Sequence, residues 1–161
     1  MFLPSLADFP RYPFPAGYRC RLMSPADVGL WVQIQQAAEP FLTMDESWFW
    51  KEFGEPRSLA WQRCLLLEEP GGNAIGTISG WTDEGFRRQE HGRLHWLAIH
   101  PDWQGRGLAK PLISAVLTLL AQHHDSAYLM TQIERQAAIH LYQKFGFEPV
   151  IDPPEPIAPN P

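Results

Sequence analysis

The chain is poor in cysteine, in long apolar runs and in positive charge. Only Cys20 and Cys64 occur among 161 residues. No C-x-x-C spacing is present, so neither a disulfide framework nor a clustered metal site is expected. The reading is two reduced, mostly buried thiols, and no metal. The most apolar stretch, "LISAVLTLLA", is about half of what a membrane span needs. The opening "MFLPSLADFP" has neither a cationic region nor a long apolar core, so no secretory leader is expected. These features favour a cytoplasmic protein without a membrane partner. Lysine and arginine total 13 against 18 acids, a net charge of −5. Nucleic acid is therefore not the expected partner, since that binding relies on basic surface. A small anion held by backbone amides remains open.

What is present suits one globular domain spanning 1–161. Hydrophobic residues make up 45% and charged residues 19%. Both ends are proline-rich, "LPSLADFPRYPFPAG" and "PPEPIAPNP". They read as extended arms flanking a core of about 17–151. Inside that core, "YRCRLMS" alternates like a strand. Ser24-Pro25 opens a helix that stops at Pro40. "MDESWFWKEFG" is a second helix, capped at Asp45 and ended by Gly54. "QRCLLLEE", the turn "PGGN" and "AIGTISGW" form a hairpin. "RLHWLAIH" and "SAYLMTQ" read as strands, "ERQAAIHLYQKFGF" as a helix stopped at Gly146, and "FEPVI" as a last strand. The expected class is α/β: an α+β mixed sheet of six or seven strands with helices on both faces.

The richest stretch is "HWLAIHPDWQGRGLAKPL", His95 to Leu112. A strand ends at Pro101, and a helix follows with Leu108, Leu112, Val116 and Leu119 on one face. The first four amides of a helix lack internal partners, and the helix dipole places partial positive charge there. Gly105 and Gly107 permit close approach, and Arg106 adds charge. "QGRG" is thus either a tight turn or an anion cradle. Neither the dinucleotide fingerprint nor the phosphate loop ending in G-K-[ST] fits it.

"LAIHPDWQGRGLAKPLISAVL" resembles the central motif of the Gcn5-related N-acetyltransferase (GNAT) superfamily, [QR]-x-x-G-x-[GA] after a strand ending in proline. Gln104, Gly107 and Ala109 match it in order. "AAIHLYQKFGF" is similar to the family's C-terminal helix, with Tyr142, Gly146 and Phe147 in place. The resemblance covers about 17–151 and implies the GNAT fold, with acetyl-CoA as cosubstrate and no metal. It assigns the pyrophosphate to Gln104, Gly105, Arg106, Gly107, Leu108 and Ala109. The pantetheine and thioester fall to the backbone of Leu97, Ala98 and Ile99, beside a splayed strand at Tyr128–Thr131. Tyr142 takes the place of the general acid, its phenol having a reference pKa of about 10. Arg135 stands where the family often has asparagine. Arginine cannot accept a hydrogen bond, though it can approach a phosphate.

An acceptor amine must lose a proton before it attacks, which calls for a base. His95 is the candidate, two before Leu97 and on the same face if the strand alternates. "HWLAIH" is also similar to the arylalkylamine acetyltransferase segment with a strand histidine. Glu90 and Glu84 are alternative bases, and a core histidine is the plain alternative. Phe41, Asp45, Glu46, Trp48, Trp81 and Asp83 are candidates for the amine side, with Phe41, Asp45 and Trp81 foremost. Equally, the acids cap helices and the tryptophans pack. The expected function is acetyl transfer to a primary amine of a small molecule in a ternary complex. A non-catalytic acyl-CoA-binding module, and acetylation of a protein N-terminus or lysine, are the alternatives. Oligomeric state stays open, a homodimer being the commonest choice.

Overall fold

The computed structural model describes residues 1–54, 56–83, 86 and 90–150, with the backbone alone at 83. Six strands form one mixed sheet: β1 (Phe2–Leu3), β2 (Arg19–Leu22), β3 (Cys64–Glu68), β4 (Ala74–Asp83), β5 (His91–Ile99) and β6 (Ala127–Tyr128). Their order is β1-β6-β5-β4-β3-β2. Among the described residues only β5 and β6 run parallel. Helices α1 (Val28–Ala38), α2 (Glu46–Phe53), α3 (Ala60–Arg63), α4 (Ala109–Leu120) and α5 (Gln136–Gln143) connect them. The α/β class and the mixed sheet match expectation.

Alternation along β3 explains the layers. Leu65 and Leu67 point into a core with Leu112, Ile113, Val116 and Leu117 of α4 and with Tyr142 of α5. Cys64 and Leu66 point the other way, toward Trp31 and Ile34 of α1 and Phe49 and Phe53 of α2. The helix starts follow their caps. Asp45 accepts from the Ser47 backbone N–H at 2.9 Å, and Gly54 ends α2 with φ +55°. Asp27, closing the turn Pro25–Asp27, accepts from the Ser24 backbone N–H at 2.7 Å. Arg21 of β2 forks onto the same carboxylate at 2.8 and 2.9 Å. This arginine holds the Asp27 carboxyl well below the usual carboxylate range.

Three expectations need correction. The N-terminal arm is not outside the core. Phe2 and Leu3 pair antiparallel with Tyr128 and Ala127, and Leu3, Leu6 and Phe9 are buried with α4. The last strand shrinks to one bridge, Glu148 with Phe2, because β1 already occupies the sheet edge beside β6. The strand "SAYLMTQ" contracts to Ala127–Tyr128, where parallel pairing with β5 ends at Arg93, although Leu129 still exchanges hydrogen bonds with Met1. The tail, Ile151 and Glu84 lie outside the described residues. Among the described residues no helix is long and apolar enough to cross a membrane.

Candidate active site

The site begins where β5 loses a neighbour. Parallel pairing with β6 covers Gly92 and Arg93 only. Beyond Arg93 the β5 edge has no strand beside it on that side among the described residues, while β4 stays paired on the other. Unpaired strand N–H and C=O groups call for hydrogen-bond partners. The gap is occupied by two cavities of about 500 and 480 Å³ that share Gln35, Glu39, Leu97, Arg135 and Ala138 in their walls.

The second cavity holds the glycine joint. Leu97, Ala98 and Ile99 line it, as do Gln104, Gly105, Gly107, Leu108 and Ala109. Gly105 and Gly107 have φ of +72° and +77°, the left-handed region that glycine enters without strain. A Cβ on either would meet nothing within 4 Å, so the loop backbone borders open space. The Gln104 side chain donates to the Ile99 carbonyl at 2.9 Å and ties the loop to the strand end. Arg106 departs from its expected place. Its guanidinium stacks 4.4 Å over Trp103 and donates to the Asp102 carbonyl, and it is not in the cavity wall. The cation in the wall at the helix start is Lys110, which the sequence reading missed.

The first cavity brings His95 and Tyr142 together in one wall with Leu129 and Thr131. Burial pushes the Tyr142 phenol up to about 12, with Arg135 pulling it down. The hydroxyl therefore keeps its proton at neutral pH and acts as a donor. His95 reaches the cavity differently from expectation. It does not share a face with Leu97. Leu94 and Leu97 both pack on the α4 side, whereas the His95 ring lies 6.1 Å from that of Phe53 on the α2 side. The cause is a bulge: Thr77 pairs with Ala98 but Ser79 with His95, and Trp96 takes φ +51°. An extra residue in a strand reverses its alternation. The left-handed conformation costs a bulky residue about 1–2 kcal/mol, so its surroundings must hold it. The buried Gln35 donates to the Trp96 carbonyl at 2.9 Å, and Trp31 packs edge-on 5.4 Å from its ring.

Arg135 lines both cavities and is ion-paired with Glu39, an acid the sequence reading did not single out. Five of the amine-side candidates, Phe41, Asp45, Glu46, Trp48 and Trp81, lie outside both walls, and the side chain of Asp83 is outside the described residues. Phe41 is 96% exposed, Asp45 caps α2, and Trp81 packs 5.1 Å from Phe53. Trp48 meets the Trp96 ring edge-on, and Glu46 occupies the first turn of α2. Glu90 lies 3.4 Å from the Thr82 hydroxyl and outside the walls. Leu42 takes the wall position expected of Phe41.

An open wedge in a mixed sheet, with a glycine loop and Lys110 at one end and His95 and Tyr142 at the other, defines an α/β protein with a cleft along one strand. The chain belongs to the acetyltransferase (GNAT) family, whose model matches residues 30–147. An acetyltransferase of Pectobacterium atrosepticum is 35% identical over 87 residues, 53% of this chain and 58% of that protein. One of Sodalis glossinidius is 36% identical over 85 residues, 52% of this chain and 56% of its own. The matched segment thus spans little more than half the length of these relatives. Among solved structures, a GCN5-related N-acetyltransferase of Sphaerobacter thermophilus superposes with a TM-score of 0.73 at 21% identity, over 90% of this chain and 46% of that one. The ribosomal-protein-S18-alanine N-acetyltransferase of Escherichia coli gives 0.66 at 20%, over 83% and 79%. A Salmonella typhimurium protein solved with its cofactor acetyl-CoA gives 0.65 at 22%, over 82% and 80%. At these identities the likeness of the structures is one of fold.

Proposed function

We propose that the chain transfers an acetyl group from acetyl-CoA to the primary amine of a small molecule, both substrates being bound at once. The observation that carries this reading is the pair of cavities meeting at Leu97 along the stretch of β5 that has no described strand beside it. The residues present suit the cosubstrate. Beyond Arg93 β5 has no strand beside it on the cavity side among the described residues, the loop at Gly105 and Gly107 leaves room, and Lys110, its ammonium 5.0 Å over the Tyr12 ring, brings a positive charge to the start of α4. Acetyl-CoA, when bound, supplies an acetyl thioester.

The chain's own groups then divide the proton work. His95 accepts a proton from the amine nitrogen as it bonds to the acyl carbon. Tyr142 donates its phenolic hydrogen toward the sulfur as the carbon–sulfur bond breaks. Protonated at neutral pH, the buried hydroxyl acts as a hydrogen-bond donor toward the negative charge that develops on the sulfur. The acceptor end is bordered by Leu42, Met130 and the Glu39–Arg135 pair, apolar and ionic together.

The test is thiol release from acetyl-CoA with a panel of small primary amines, and with peptides bearing free N-termini or lysines. Turnover of small amines over peptides supports the reading. Tyr142→Phe is expected to lower kcat about 100-fold with little change in the KM for acetyl-CoA. Acetyl-CoA binding without turnover of any amine would leave a binding module instead.

A further inference from the structure

Glu52, in the last turn of α2, reaches the site without lining it. One carboxylate oxygen serves two neighbours. Oε2 lies 3.2 Å from His95 Nε2 and 3.1 Å from Trp96 Nε1, and the indole N–H donates to it. His95 is the expected base and Trp96 is the residue at the bulge, so one acid touches both unusual features of β5. The His95 side chain is 13% exposed and that of Glu52 25%, so the contact is only partly screened by water. The α2 ladder explains the reach. Phe49 and Phe53 anchor the helix in the core, and residue 52 follows Phe49 by three on the flank of that face.

We propose that Glu52 is the positioning residue of this site. It fixes His95 with the proton on Nε2, so the neutral ring carries its lone pair on Nδ1. Through the Trp96 indole it also holds the bulge that places Leu97 and His95 on opposite faces of one strand. Gln35 braces the same residue through its carbonyl, so the bulge is gripped from α1 and α2 together. An ordinary surface acid would need neither contact. The proposal rests on the acetyl-transfer reading for its kinetic consequence but not for the contact itself.

Two variants and two readouts test it. In proton–nitrogen NMR spectra of the ligand-free protein, Glu52→Leu is expected to move the Trp96 indole N–H and His95 ring signals. Glu52→Gln, which keeps an acceptor oxygen, should move them less. In turnover assays Glu52→Leu should lower kcat 10- to 100-fold, with the KM for acetyl-CoA within threefold and partial recovery in Glu52→Gln. Unmoved indole and imidazole signals would overturn the proposal, as would a wild-type kcat in Glu52→Leu. If Glu52→Leu does not fold, Glu52→Gln decides alone: unchanged signals with unchanged kcat overturn it. If the wild-type protein acetylates no amine, the functional reading fails, while the two NMR signals still decide the Glu52 contact.

Discussion

Three weak acids are held neutral by burial. Burial pushes the Cys64 and Cys20 thiols up to about 12, with Ser79 pulling Cys64 back and Glu68 adding to the rise at Cys20. The Tyr142 phenol, raised to about 12, joins them. Each folded pKa lies above its reference of about 8.5 for a thiol and 10 for a phenol. The folded state therefore binds more protons than the unfolded chain in that window. The stability concerned is complete below pH about 8.5 and is lost as pH climbs toward 12. The urea midpoint should be flat from pH 7 to 8 and fall above pH 9. Cys64→Ala should lower the midpoint at pH 7 by leaving a small cavity and should also flatten the alkaline slope. An unaltered slope in that variant would remove Cys64 from the account. The same burial makes both thiols slow toward alkylating reagents at pH 8. At this scale the sequence was readable where a residue's place follows from a motif, as with Gln104 and Tyr142. Glu52 and Glu39 were not singled out, because their importance comes from partners 43 to 96 positions away. The available hint was an acid flanking the apolar face of α2.

The loop between β5 and α4 shows how far element-level signals reach. The strand, proline, glycines and helix were all legible, since caps and periodicity are local. The direction of side chains within the motif was less so. Alternation placed His95 beside Leu97, and the bulge at Trp96 undid it. Nothing local marks that bulge, because a tryptophan disfavours positive φ and only contacts from α1 and α2 hold it there. Arg106 likewise turns back onto Trp103, a choice between two good partners that spacing cannot rank. The two loop glycines carry a prediction. Gly107→Ala puts a Cβ at φ +77°, where strain costs about 1 kcal/mol. Such a loss lowers Tm by about 2–4 °C in a domain of this size. Gly72→Ala, at φ +88° in the β3–β4 turn and equally unobstructed, is a matched control. Both variants should lose similar Tm, but Gly107→Ala alone should weaken acetyl-CoA binding, about tenfold by calorimetry. Equal affinities in the two variants would remove the loop from the cosubstrate site.

For the molecule as a whole, the N-terminal segment matters more than its composition suggests. Prolines at positions 4, 10, 13 and 15 argue for an arm outside the core, and a strand of two residues offers no period to detect. Yet Leu3, Leu6 and Phe9 are 4%, 3% and 5% exposed and pack with α4. Burying one such side chain contributes about 1.5–3 kcal/mol. Three together rival the 5–15 kcal/mol that holds an ordinary domain together. The segment also closes the open side of β6. Leu6 donates to Asp125, Phe2 and Leu3 pair with Tyr128 and Ala127, and Met1 and Leu129 exchange two hydrogen bonds at 2.9 and 2.7 Å. Because Leu129 lines the cavity of His95 and Tyr142, the arm sets one wall of the wedge from behind. Leu6→Ala should therefore cost about 2–4 kcal/mol, a fall in Tm of roughly 5–15 °C. Removing residues 1–9 should uncover the β6 edge as well as the core, so loss of the cooperative transition and association by light scattering are expected. A truncated chain that melts cooperatively within a few degrees of the whole one would show that the arm rests on the sheet without supporting it.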